Sequence, residues 1–147
     1  MKKAVTLMLV ACMLLSLTAC FLPNTPEEAL YKLRKADCRV EIHISDSNYV
    51  NSISEETGVN PEAVDAVVVA SHNSLLEASA LLVFCKDSWT AKQIAFYFSS
   101  ELNALYQQGY YDDSRYYAFL KNYTVTSGGT VVFFGHSDIL NAVRDIF

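Results

Sequence analysis

Apolar residues recur with two different periods along this chain. From Cys38 to Ile44 every second residue is apolar, which predicts a strand with one buried face. From Trp89 to Gln108 apolar residues recur every three or four positions, which predicts an amphipathic helix that ends at Gly109. Strands and helices therefore both contribute to the predicted fold.

Four short segments rich in apolar residues predict two β-hairpins. They are residues 66–72 and 76–86, followed by residues 123–126 and 130–134. His72-Asn73-Ser74 is a plausible tight connection for the first hairpin, and Gly128-Gly129 supplies the turn of the second. Ala80–Cys85 is apolar at every position, as expected for a strand that is covered on both faces or central in the sheet.

Capping residues and apolar spacing predict four further helices. They begin at Thr25, near Tyr49, at Asp112 and at Ser137, and they end near Ala36, Gly58, Lys121 and Ile146. The order of elements is thus α, β, α, ββ, α, α, ββ, α. Hairpins that alternate with helices predict an α+β fold. We expect an antiparallel or mixed sheet of about five strands, built from two hairpins and one edge strand, with helices over one face.

The first 19 residues have a pattern of their own. Lys2 and Lys3 precede an apolar run from Ala4 to about Leu17 that contains no charged residue. A positive start followed by an apolar run is the profile of an export signal. The run of about 14 residues is shorter than the roughly 20 helical residues that cross a bilayer. An export signal therefore fits this segment better than a transmembrane helix.

Leu17-Thr18-Ala19-Cys20 ends this segment and closely resembles the lipobox of bacterial lipoprotein signal peptides. The resemblance implies cleavage before Cys20 and a diacylglyceryl thioether on the Cys20 sulfur. It further implies that the membrane is a partner, through this lipid, and that the protein is exported and held on the extracytoplasmic face of a bacterial membrane. An ordinary signal peptide followed by a chance cysteine is the alternative interpretation.

Three regions follow from these patterns. Residues 1–19 form the predicted signal peptide, residues 20–25 the lipidated cysteine and a short tether, and residues 26–147 a single globular domain. The tether from Phe21 to Thr25 reaches at most about 17 Å when extended, so we expect the domain to lie close to the bilayer.

The charge of the chain restricts its partners. Eleven Lys and Arg oppose sixteen Asp and Glu, so the net charge is −5. Removal of Lys2 and Lys3 with the signal leaves nine cations against sixteen acids, which is −7. This charge repels nucleic acid and anionic lipid. We therefore expect no nucleic-acid partner, and we expect the lipid rather than charge to hold the protein on the membrane.

Few residues in the sequence indicate a catalytic, metal-binding or redox function. Cys38 and Cys85 remain after Cys20 is lipidated, and they either form a disulfide or lie buried as small apolar side chains. The chain has no CxxC or GxSxG motif, and its three histidines have no second ligand at a metal spacing. We therefore predict no catalytic residue, no metal and no cofactor.

Tyrosines cluster between residues 106 and 123, where six of them occur. A tyrosine pairs an apolar ring with a polar hydroxyl, which suits a glycan or peptide surface. The alternative is that half of them are core residues and the others cover a helix corner. Tyr110, Tyr111 and Tyr117 are the candidate interaction residues.

The order of features from about Gly58 onward resembles a family of small bacterial lipoproteins that carry a domain of unknown function. The features are the segments TGVNPEAVDAVVVAS, SALLVFCKDSWTAKQIAFYFSSEL and YYDDSRYYAFLKNYTVTSGGTVVFFGHSDILNAVRDIF. The resemblance covers about the last 90 residues. It implies location and fold, and it carries no activity or binding residues. The additional N-terminal helix departs from the pattern of the family.

Together these patterns predict a membrane-anchored extracytoplasmic lipoprotein that is a non-catalytic binding module of the cell envelope. An envelope protein or a cell-wall glycan is the expected partner. An enzyme that acts on an envelope substrate and an assembly factor of an envelope complex are the alternatives.

Overall fold

The structure is a computed structural model that describes residues 23–45, 47–75, 78–110, 112, 114, 124–125 and 129–144. The helices are α1 (Pro26–Lys35), α2 (Asn48–Thr57), α3 (Ser88–Gln107) and α4 (Ser137–Val143), with a 3₁₀ turn at Pro61–Ala63. The strands are β1 (Cys38–Ile44), β2 (Val64–His72), β3 (Ser79–Cys85), β4 (Thr124–Val125) and β5 (Val131–Gly135).

Local sequence signals account for the ends of these helices. The Glu28 backbone N–H donates to Thr25 Oγ1 at 3.2 Å, and Pro26 occupies the first turn of α1, as predicted. Asp87 caps α3 in the same way. Gly58 ends α2 in the left-handed conformation, with a φ of 73°.

The described strands form one antiparallel sheet in the order β1-β2-β3-β5-β4. Four of them have five residues or more, whereas β4 has only two. The predicted α+β class and the β2–β3 hairpin are confirmed. β3 is the central strand, which explains why Ala80–Cys85 is apolar throughout. The predicted helix from Asp112 to Lys121 lies largely outside the described residues.

Helices cover both faces of the sheet, so the expectation of helices over one face is wrong. On one face, Leu82 and Phe84 of β3 belong to a cluster with residues of α1 and α4. On the other face, Val83 belongs to a cluster with residues of α2 and α3. The physical reason is that successive strand residues point to opposite sides, and β2 and β3 are apolar on both. An uncovered face would expose a continuous row of valine and leucine side chains.

The suggested disulfide between Cys38 and Cys85 is also wrong. Both cysteines are free and buried, and they belong to the clusters on opposite faces of the sheet. Cys38 pairs with His72 at one end of β2, and Cys85 pairs with Val64 at the other end. Eight strand residues advance about 26 Å, whereas a disulfide joins Cα atoms less than about 7 Å apart.

Candidate functional site

α3 presents a buried side to the sheet and an exposed side to solvent. Its buried residues are Thr90, Ala91, Ile94, Ala95 and Leu102. Asp87 fixes the start of the helix, because its carboxylate accepts hydrogen bonds from the Thr90 backbone N–H and from Thr90 Oγ1, both at 2.8 Å. The bond from the Thr90 backbone, followed by that from its hydroxyl, lowers the pKa of Asp87.

Two large aromatic side chains stand on the exposed side of α3. Trp89 is 69% exposed and Phe96 is 74% exposed. They are seven residues apart, so they project from the same side of the helix and are separated by about 10 Å along its axis. Lys92 and Ser100 are exposed on the same side. We call these four residues, Trp89, Lys92, Phe96 and Ser100, the α3 outer face.

The charge of the α3 outer face differs from that of the whole protein. Lys92 is the single cation of α3, and Glu101 is its single acid. No acidic residue therefore lies in the first three turns of the helix, where both aromatic side chains are found. The protein as a whole is acidic, whereas this surface carries one cation and two exposed aromatic side chains. A helix face that is merely solvated does not need this combination of residues.

The predicted tyrosine surface is only partly described. Tyr110 is 70% exposed, just beyond the end of α3. Its backbone N–H donates to the Leu105 carbonyl oxygen at 3.0 Å, after Gly109 with a φ of 80°. Tyr111 and Tyr117 lie outside the described residues, as does Cys20. Tyr110 follows the last turn of α3 and Trp89 lies in its first, so the two do not form one surface.

Sequence reasoning did not select Trp89 or Phe96 as site residues. The spacing of the apolar residues in α3 nevertheless indicates that these two side chains lie outside the core. Ala91, Ile94, Ala95, Phe98, Leu102 and Leu105 satisfy the helical period, and Trp89 and Phe96 fall outside it. A large aromatic residue outside the core stripe is a candidate for exposure, although the stripe alone does not separate Trp89 and Phe96 from Tyr97, which is half-buried.

Among the described residues, three shallow grooves are further candidate sites. The largest has a volume of about 370 Å³ and is lined by Asn51, Ser54, Glu55, Gly58, Val59 and Pro61. The Ser54 hydroxyl is buried there without a hydrogen-bond partner among the described residues. The other two grooves, of about 280 and 300 Å³, are lined mainly by exposed polar residues. In the described part of the chain, the pKa is shifted at Asp37, Cys38, Tyr49, Cys85, Asp87 and Tyr97, and none of these residues lines the three grooves.

Asp37, His72 and Ser74 meet at the β2–β3 turn, but they are not arranged as a catalytic triad. Ser74 Oγ donates to Asp37 Oδ2 at 3.3 Å, whereas His72 Nδ1 accepts the Ser74 backbone N–H at 3.1 Å. The histidine is therefore not placed to take the serine proton. Asp37 also accepts from Asn73 Nδ2 at 2.8 Å, and this bond is the main cause of its lowered pKa. These hydrogen bonds stabilise the β2–β3 turn.

Among the residues that the structure describes, His, Cys, Asp and Glu side chains nowhere gather in groups of three that could hold a metal ion. Within that same part of the chain, no helix is both long enough and apolar enough to span a membrane. Comparisons with protein-family models, with curated proteins and with solved structures find no match to this chain.

Proposed function

We propose that this protein is an extracytoplasmic lipoprotein, anchored by lipid on Cys20, that binds a component of the cell envelope without catalysing a reaction. The observation that carries the binding role is the exposure of Trp89 and Phe96 on one side of α3. An aromatic side chain buries roughly 150–250 Å² when it is covered. Covering the pair is therefore worth on the order of 5 kcal/mol before the cost of association.

The anchor determines which surface remains available to a partner. Pro23 is buried and lies three residues before α1, so the chain from Cys20 to this buried residue is about 10 Å long at most. α1 and α3 cover opposite faces of the sheet. A lipid on Cys20 therefore holds the α1 side close to the bilayer, while the α3 outer face points away from it and towards the envelope.

We favour binding over catalysis because of what the grooves contain. The described residues that line the groove of about 370 Å³ include one buried hydroxyl, that of Ser54, and one acid, Glu55. Neither a histidine nor a lysine is among them to activate a nucleophile. The α3 outer face, in contrast, has the residue types that dominate binding surfaces.

The anchor can be tested with a matched pair of cysteine variants. Cys12→Ser changes a cysteine inside the predicted signal, whereas Cys20→Ser removes the proposed lipid site. We expect the parent and Cys12→Ser to incorporate a labelled fatty acid and to sediment with membranes. Cys20→Ser should lose the label and should no longer sediment with membranes that have been separated from the cell wall. A Cys20→Ser protein that is processed and retained like the parent contradicts the anchor.

The binding role needs a separate experiment. Isolated cell envelopes should retain the Cys20→Ser protein, which has no lipid of its own. Adding Trp89→Ala and Phe96→Ala should abolish this retention without lowering the melting temperature. Tyr31→Ala is the control, because Tyr31 is 62% exposed on α1, across the sheet from α3. Equal retention of all variants contradicts the proposed surface.

A further inference from the structure

We propose that the α3 outer face binds a β-1,4-linked amino-sugar glycan that carries carboxylates, which is the chemistry of the bacterial cell wall. This inference rests on the proposed function, because export places the domain where such a strand is present. Trp89 and Phe96 would stack on two sugar rings, and Lys92 would pair with a carboxylate between them.

The spacing of the two aromatic residues matches the repeat of an extended β-1,4-linked glycan. Trp89 and Phe96 are two helical turns apart, which corresponds to about 10 Å along the axis of α3. This distance is close to the length of one disaccharide in an extended β-1,4-linked chain. Sugars two apart in such a chain present the same face to the same side. Two aromatic rings at this spacing can therefore stack on the apolar faces of alternate sugars.

The position of Lys92 suits a glycan that carries carboxylates. Lys92 lies between Trp89 and Phe96 along the helix and is exposed on the same side. An ammonium group at this position meets an acidic substituent on the sugar between the two stacked rings. No acidic residue lies between Trp89 and Phe96, and the nearest acids of the helix are Asp87 at its N-cap and Glu101 beyond Phe96. Because this ion pair is exposed, its contribution is modest and decreases with salt.

The α3 outer face fits other binding partners less well. A bilayer does not fit, since the tether holds the opposite side of the domain near the membrane. A second copy packed on α3 about a twofold axis at the centre of this face would bring two Lys92 ammonium groups together. The core of a protein interface is depleted in lysine and other charged residues, whereas Lys92 and Gln93 lie between the two rings. A linear polar chain with apolar patches at intervals fits such a surface best.

Cosedimentation with insoluble glycans tests this inference. The purified full-length lipoprotein, in detergent, is mixed with isolated peptidoglycan, with chitin as an uncharged β-1,4-linked glycan, or with starch as an α-linked control. We expect binding to peptidoglycan and, more weakly, to chitin, with none to starch. Trp89→Ala and Phe96→Ala should each weaken binding at least fivefold, while Trp89→Phe and the control Tyr31→Ala retain it. Lys92→Gln should weaken binding to peptidoglycan at low salt and leave binding to chitin unchanged.

The outcomes separate this inference from the proposed function. Absence of peptidoglycan binding by the parent overturns the inference, and so does equal binding by the alanine variants. If muramidase-treated envelopes still retain the protein through Trp89 and Phe96, the ligand is not the glycan, and the binding role survives with a protein partner. If neither envelopes nor glycans bind it, both proposals fail.

Discussion

Gly135 of β5 lies directly opposite Ala80 of β3, and the two backbones approach so closely that position 135 has no room for a side chain. A Cβ atom at position 135 would fall 2.5 Å from the Ala80 Cβ and 2.6 Å from the Ser79 carbonyl oxygen. Ala80 Cα is closer still, so two of the three nearest atoms are backbone of the central strand and none of them can move aside easily. The close pairing of β3 with β5 therefore depends on glycine.

Gly135→Ala should destabilise the protein by about 2 kcal/mol or more, because overpacking of a rigid site typically costs 1–3 kcal/mol. Urea unfolding monitored by circular dichroism measures the change. Gly58→Ala is the control, since Gly58 has a φ of 73° and its Cβ would meet nothing within 4 Å. That variant should lose only about 1 kcal/mol, from backbone strain alone. An equal loss in both variants would contradict the close approach at Gly135.

The thiols of Cys38 and Cys85 should both be free and unreactive in the native protein. Burial raises the pKa of both groups, so few thiolates are present near neutral pH. We expect neither cysteine to be alkylated at pH 8 under native conditions, and both to be alkylated in denaturant without any reductant. Mass spectrometry of the peptides gives the result. A peptide pair joined through Cys38 and Cys85 would contradict the separation of these residues by the length of β2.

Stability should fall as the pH rises above about 8.5, the ordinary pKa of a cysteine in the unfolded chain. Burial, followed by repulsion from Asp87 and Asp65, raises the pKa of native Cys85 to about 12. Between these values the unfolded state releases the proton and the native state keeps it, so unfolding becomes easier as the pH rises. Cys85 alone should account for a loss of about 2 kcal/mol between pH 8.5 and pH 10.

Cys85→Ala isolates this contribution from that of Cys38 and Tyr49, whose pKa values burial also raises. The variant should be less stable at pH 7, but its free energy of unfolding should depend less steeply on pH between 8.5 and 10. The comparison requires urea unfolding at several pH values. Parallel pH profiles for the parent and the variant would show that Cys85 ionises in the native state.

Asp37 should stabilise the β2–β3 turn through both its backbone conformation and its carboxylate. Its φ of 57° is tolerated by Asp and Asn better than by Ala. The melting temperature at pH 7 should therefore decrease from the parent to Asp37→Asn and further to Asp37→Ala. Because hydrogen bonds lower the native pKa of Asp37, its contribution is present above the unfolded value and lost as the pH falls through the native value.

Melting curves at pH 7 and at pH 3 test this order. The advantage of the parent over Asp37→Asn should shrink at pH 3, which is below the ordinary pKa of the carboxyl group in the unfolded chain, while the disadvantage of Asp37→Ala persists through its φ. An advantage of the parent that is the same at both pH values would mean that the charge of Asp37 is not involved in the turn.

Trp89 is the one tryptophan of the chain, and it is 69% exposed. We expect the free protein to show the emission of a water-exposed indole and strong quenching by acrylamide. Soluble chito-oligosaccharides of four or more sugars should shift the emission to shorter wavelength and protect it from quenching. Phe96→Ala should keep the emission of the free protein and reduce the shift. An unchanged spectrum with saturating oligosaccharide would contradict stacking on Trp89.

The sequence predicts the elements of the fold better than their arrangement. Thr25 and Gly58 are local signals, because capping and positive φ depend on a few neighbouring residues, and they set two helix ends correctly. The position of helices relative to the sheet is not local. The uninterrupted apolar run of Ala80–Cys85 indicated cover on both faces, yet the order of elements alone suggested helices on one face.

The candidate site shows the same division between local and distant information. Trp89 and Phe96 could have been found from the helical period, since the core stripe of α3 leaves them outside. The separation of Cys38 from Cys85 could not, because it depends on which strand lies between them and on its register. The sequence of a strand does not show which strand lies beside it. β1 and β3, which carry the two cysteines, would therefore have similar sequences even if they were neighbours.

If Cys20 is lipidated as proposed, the three-layer arrangement, with α1 and α3 on opposite faces of the sheet, limits where the protein could act. A domain of this size is roughly 35 Å across, and with Cys20 lipidated it has little additional reach. The α3 outer face would then work at one nearly constant height above the lipid surface. Only material within about 40 Å of the bilayer could be engaged, so the protein would select the innermost layer of the envelope by its dimensions alone.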